Sequence, residues 1–131
     1  YGVERLMEYN DYVPLNQVPA ILHNASILLV LSNNAATSGA HGIMTTKFFE
    51  ALGVEKPVLC VRSDEECLAQ VIKETNAGLA ATNVEQVKEF ISDKYAEWKT
   101  NGFTRQPVNQ EAKKRFTRQY QSEQIEHLIY D

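Results

Sequence analysis

Ile27-Leu28-Leu29-Val30-Leu31 is an apolar run with no polar alternation, the pattern of a strand buried on both faces. Pro57-Val58-Leu59-Cys60-Val61 repeats it, and Leu79-Ala80-Ala81 is a shorter, weaker version. Between these runs the spacing becomes helical. A helix is predicted from about Thr45 to Leu52, and another from the capping box Ser63-Asp64-Glu65-Glu66 to about Thr75, with Gly78 ending the turn that follows. A second capping box, Asn83-Val84-Glu85-Gln86, opens a helix that carries Val87, Phe90, Ile91, Ala96 and Trp98 and is stopped by Gly102. Ahead of the first run, Tyr12-Val13 reads as a short extended stretch closed by Pro14. Asn16 is placed to cap a helix over Gln17 to Asn24, where Pro19 is tolerated because the first turn has no intrahelical N–H bonds to lose.

Apolar strands alternating with helices of about three turns predict an α/β fold, a Rossmann-like parallel sheet with helices on both faces. From Asn109 the pattern changes. The tail is helical and polar, anchored by Ala112, Phe116, Tyr120, Ile125, Leu128 and Ile129, and Thr117 is placed to restart the helix after Phe116. Residues 1–108 are therefore expected to form the domain, with 109–131 as a helical tail packed on it. Six of the 13 basic residues (Lys99, Arg105, Lys113, Lys114, Arg115 and Arg118) gather around the start of this tail. A solvated helix face is the favoured reading of that cluster over a phosphate-binding patch, because neither aromatic interleaving nor a known motif accompanies it.

Composition narrows the class. The 131 residues suffice for one domain, and 44% hydrophobic with 23% charged content is that of a globular chain. Seventeen acids against 13 bases give a formal charge of −4, which argues against nucleic acid as a partner. No apolar run approaches the roughly 20 residues that span a bilayer. Cys60 lies in a strand pattern and reads as a small buried hydrophobe, while Cys67 has neither CxxC spacing nor a neighbouring His. No metal is expected, and a reducing, cytoplasmic location is the default. The sequence opens with Tyr1, and a longer protein upstream is expected.

Candidate chemistry concentrates in one segment. In an open parallel sheet, ligands bind beyond the carboxyl ends of the strands. Ser32 to Thr46, rich in Ser, Thr, Asn, Gly and Ala, is far longer than the usual strand-to-helix connection. Gly42-Ile43-Met44-Thr45-Thr46 would present free N–H groups at a helix start, a natural seat for phosphate. Lys47 in the first turn opposes the helix dipole and makes sense where an anion binds. Glu50 has two readings here: acceptor for sugar hydroxyls, or surface acid in an ion pair with Lys47. Ser32, Ser38 and His41 are further candidates within the loop.

The stretch Lys47-Phe48-Phe49-Glu50-Ala51-Leu52, followed by Lys56-Pro57-Val58-Leu59, resembles the donor-site signature of group 1 glycosyltransferases of the GT-B fold. Tyr12-Val13-Pro14, Ile21-Leu22 and Asn24 to Ser32 resemble the family upstream. Asn76-Ala77-Gly78-Leu79, Asn83 to Ile91, Phe116-Thr117 and Leu128-Ile129-Tyr130 resemble it downstream. The resemblance implies the donor-binding part of an enzyme that moves a sugar from a nucleotide-diphosphate sugar to an acceptor, in cell-surface polysaccharide or glycolipid synthesis. It implies a nucleotide-sugar site at Gly42, Ile43, Met44, Thr45, Thr46, Lys47 and Glu50, with Glu50 on the ribose hydroxyls. It also implies a cytoplasmic enzyme, peripheral at the inner face of the membrane, that is completed by an acceptor-binding N-terminal domain.

Two departures qualify the match. Many members carry a further glutamate where this chain has Gly42. The family's donor half also has two strands between those matching Tyr12-Val13 and Ile27 to Leu31, and these are missing here. An inactive fragment is therefore expected, with self-association through exposed sheet edges or a displaced first strand. The rival expectation is a flavodoxin-like, non-catalytic binding or protein-interaction domain. His23 and His127 have no convergent partners in the pattern, so neither reads as a general base.

Overall fold

The structure is a computed structural model that describes residues 2–32, 44–61 and 66–130. Its centre is a parallel sheet of β1 (Leu28–Leu31), β2 (Val58–Val61) and β3 (Gly78–Ala80), in that spatial order. The register pairs Leu29 with Leu59 and Leu59 with Leu79, so these leucines share one face. Val30, Val58 and Cys60 point to the other.

That second face is covered by α2 (Thr46–Val54) and α3 (Glu66–Thr75), which supply Phe48, Ala51, Leu52, Leu68 and Ile72 to a single core. Phe48, Val58 and Cys60 are fully buried, and Cys60 and Cys67 form no disulfide with each other. The alternation of strand and helix thus produces the expected mixed α/β architecture.

The leucine face is less complete. Leu59 is buried, and Leu79 shares a shallow cleft with Phe90 of α4 (Val84–Asn101). Leu29 and Leu31, however, are 61% and 65% exposed. The expectation that β1 is buried on both faces is therefore corrected. An unbroken apolar run reports what a strand is made of, and burial also requires a neighbour on each side. Among the described residues β1 has a strand partner on one edge only.

Tyr12-Val13 does not supply the other partner. It lies outside any strand, with the Tyr12 side chain fully exposed. Asn16 is also displaced from its expected role. It sits inside a 3-10 turn, Leu15–Gln17, that leads into α1 (Val18–Asn24), whose N-cap is Gln17 without a side-chain bond. Pro19 in the first turn fits as expected.

Capping explains the later helices well. Asn83 Oδ1 accepts from the Gln86 N–H (2.9 Å), and Gln86 Oε1 accepts in return from the Thr82 N–H (2.9 Å). Gly102 ends α4 at φ 76° and donates its N–H to the Trp98 carbonyl. Asn109 caps α5 (Gln110–Lys114), and Thr117 Oγ1 accepts from the Tyr120 N–H at the start of α6 (Arg118–Tyr130). Ser63, Asp64 and Glu65 of the other capping box lie outside the described residues.

The tail is fastened at its first half. Val108 and Ala112 are buried, Asn109 N–H donates to the Thr75 carbonyl, and Lys113 and Arg115 pair with Glu55 (2.6 Å) and Glu74 (2.7 Å). Beyond Phe116 and Tyr120 its apolar residues are not anchors, since Ile125, Leu128 and Ile129 are exposed. No helix among the described residues is long and apolar enough to cross a membrane.

The loop after α4 is tied down by a charge clamp. Glu97 Oε1 accepts the Arg105 N–H (2.8 Å), and Lys94 Nζ donates both to Glu97 Oε2 (2.9 Å) and to the Arg105 carbonyl (2.9 Å). The bond from Lys94, then that from the Arg105 amide, holds the Glu97 carboxyl below the usual glutamate range. A carboxyl depressed on folding stabilises the fold above its unfolded pKa and loses that effect as pH falls through the folded value. Titration from about pH 6 to about pH 3 should therefore shift the Arg105 amide resonance, with a midpoint below the ordinary value of about 4.3. Glu97→Gln should abolish that transition. An unchanged titration in the variant would assign it to another group.

Candidate functional site

The carboxyl end of β1 and the start of α2 define the site. Thr45, extended at ψ 144°, caps α2 by accepting the Phe48 N–H on Oγ1 (3.3 Å). A capping residue in β conformation turns the chain into the helix and leaves the first-turn N–H groups at its open end. Met44 and Thr45 are half-buried, whereas Thr46, Lys47 and Glu50 are exposed. Ser32, immediately after β1, is half-buried. Ser38, His41, Gly42 and Ile43 lie outside the described residues.

Helical periodicity explains this division. Phe48, Ala51 and Leu52 take the core-facing positions, which leaves Lys47 and Glu50 to solvent. Of the two readings of Glu50, the ion pair with Lys47 does not form; among the described residues, the ion pairs are Lys94–Glu97, Lys113–Glu55 and Arg115–Glu74. Both side chains remain without a hydrogen-bond partner there.

Glu50 borders two clefts. One, of about 390 Å³, is lined by Thr46, Phe49, Glu50, Phe116, Arg118 and Gln121. Its Phe49 and Phe116 rings lie 5.7 Å apart between centroids, tilted by 36°. The other, of about 410 Å³, is apolar apart from Glu50 and is formed by α1 against the end of α2, with Leu15, Val18, Leu22 and Val54 in its wall. The first therefore combines an aromatic wall, a carboxylate, a guanidinium and an amide beside a helix N-terminus. Such a set can accept hydrogen bonds from hydroxyls and donate them to an anion.

Arg118 is exposed, in keeping with the solvated-face reading of the basic cluster, and it also lines the same cleft as Glu50, a juxtaposition that the sequence did not single out. The available signal was local: Thr117 restarts the helix, so Arg118 occupies the first position of α6 beside the half-buried Phe116. No group of three or more His, Cys, Asp or Glu side chains among the described residues is placed to hold a metal ion. Compared with known proteins, the chain matches no family model, no curated protein and no solved structure.

Proposed function

We propose that this chain is the donor-binding part of a glycosyltransferase that uses a nucleotide-diphosphate sugar. The observation that supports the reading is the cleft at the start of α2, where Glu50 and Arg118 share a lining and Lys47, in the first turn, has no ion-pair partner among the described residues. In this reading the first-turn amides and Lys47 hold the diphosphate, and Glu50 accepts hydrogen bonds from ribose hydroxyls. Arg118 adds a forked donor for a phosphate oxygen. The resemblance of Lys47 to Leu52 and of Lys56 to Leu59 to the group 1 signature supports the same assignment. Stabilising a leaving nucleoside diphosphate is an electrostatic task that needs no protein nucleophile. Transfer would require an acceptor-binding domain in addition, so residues 1–131 are expected to bind without turning over.

Thermal unfolding in the presence of UDP, GDP and ADP tests the reading. A rise in Tm with at least one nucleotide at millimolar concentration is expected. No rise with any of them, in a folded sample, would favour the non-catalytic interaction domain instead. Glu50→Ala should weaken the nucleotide that binds by about tenfold, equivalent to about 1.4 kcal/mol. It should leave inorganic pyrophosphate nearly unaffected, because ribose is absent from that probe. Equal losses for the two would remove Glu50 from the ribose.

A further inference from the structure

A different cleft, of about 490 Å³, opens at the opposite end of the sheet, where the strands begin. It is lined by His23 at the end of α1, by Val54, Glu55 and Lys56 leading into β2, and by Phe103 to Gln106 after α4. We propose that this cleft is a binding site for an oxyanion of the phosphate class, held by Lys56, Arg105 and His23.

Charge is the first ground. The chain as a whole carries −4, yet this cleft gathers Lys56, Arg105 and a histidine. Its one acid is already satisfied: Glu55 accepts from Lys113 Nζ (2.6 Å) and from Gln110 Nε2 (3.1 Å). Those bonds, Lys113 first, hold its carboxyl below the usual range. The Glu55 charge is thus matched by Lys113 of α5, and Lys56 forms no ion pair among the described residues, while the Arg105 charge also acts on the nearby Glu97 carboxylate.

Preorganisation is the second ground. Several polar groups of the loop are engaged by the protein itself. The Arg105 N–H and C=O are fixed by Glu97 and Lys94, and Thr104 Oγ1 donates to the Ser26 carbonyl. Gln106 Nε2 donates to the Asn76 carbonyl (2.7 Å), and Asn76 Nδ2 donates to the Pro107 carbonyl (2.9 Å). The Arg105 guanidinium instead rests over the Phe103 ring, 4.8 Å from its centroid, with no hydrogen-bond acceptor among the described residues. A guanidinium stacked on a ring keeps its N–H fork available while its orientation is restricted. Lys56 Nζ and the His23 ring likewise have no partner among the described residues. Lys56, Arg105 and the His23 ring share this lining, and such a set of N–H donors can serve a multiply charged oxyanion.

The site is separate from the one at the start of α2, and the two can be told apart. Inorganic pyrophosphate is titrated into the 15N-labelled chain and followed by amide shifts and calorimetry. The inference expects saturable shifts at Lys56, Thr104, Arg105 and Gln106, and a Kd at least tenfold weaker for the double variant Lys56→Gln/Arg105→Gln at that site. Lys47→Gln should leave those shifts in place. The Arg105 bonds to Glu97 and Lys94 are made by its main chain, so the double variant keeps the loop tethered, which an unchanged Tm would verify. Shifts confined to α2, or unchanged shifts and affinity in the double variant, would overturn the proposal. Failure of the nucleotide titration leaves this result readable, because the two sites report through different amides.

Discussion

Phe48→Ala should cost about 3–5 kcal/mol of folding stability, the range for truncating a buried phenylalanine in a core that cannot collapse around the void. Phe48 is fully buried and packs with Val30, Val58 and Ile72 in the one core cluster. It also meets Phe49 edge-on, with centroids 5.5 Å apart. A small domain has about 5–15 kcal/mol of stability in total, so the loss is a large share of it. Urea denaturation followed by circular dichroism measures it, and a loss below about 1 kcal/mol would contradict the described core. Phe48→Leu, which keeps most of the apolar volume, should cost less. The effect reaches the site as well, because Phe48 is the anchor that turns Lys47 and Glu50 outward.

Gly78→Ala should be nearly as damaging, at about 3 kcal/mol, through overlap instead of a void. Gly78 opens β3 opposite Val58 of β2, at φ 155°. A Cβ there would fall inside the carbonyl oxygen of Val58, with Val58 N at 2.6 Å and Val58 C at 2.8 Å. The neighbours are backbone in a central strand and cannot swing aside. The two strands would have to separate, straining the Val58 N–H bond to the Ala77 carbonyl (2.9 Å). A substantially lower urea midpoint with an unchanged m-value is the expected result; a shift worth less than about 1 kcal/mol would mean that the strands give way cheaply.

These two residues show what the sequence did and did not make legible. The core role of Phe48 follows from helical spacing, since Phe48, Ala51 and Leu52 fall on one face. The strand positions follow from short apolar runs, and the starts of the helices at Asn83 and Thr117 from local chemistry that acts within four residues. The close approach at Gly78 was less accessible, because a glycine after a helix reads as punctuation and its clash partner lies in another strand. For the same reason the cleft was only half legible. Lys47 and Glu50 sit on one helix and could be placed by periodicity, whereas Arg118 comes to line the cleft beside Glu50 through the packing of the tail. Exposure of Leu29 and Leu31 was hidden too, since it depends on which neighbours β1 has.

The bare edge of β1 has a consequence for how this molecule's stability is defined. Among the described residues, Leu28 to Leu31 has no strand partner on one side, in a run with no charge, proline or bulge to repel a second strand. Any pairing of that edge with another copy would join folding to association by mass action. The free energy of unfolding would then rise with chain concentration, and a Tm taken at micromolar protein would not be the constant that applies at millimolar. Concentration therefore belongs beside pH and temperature among the variables that specify the folded state.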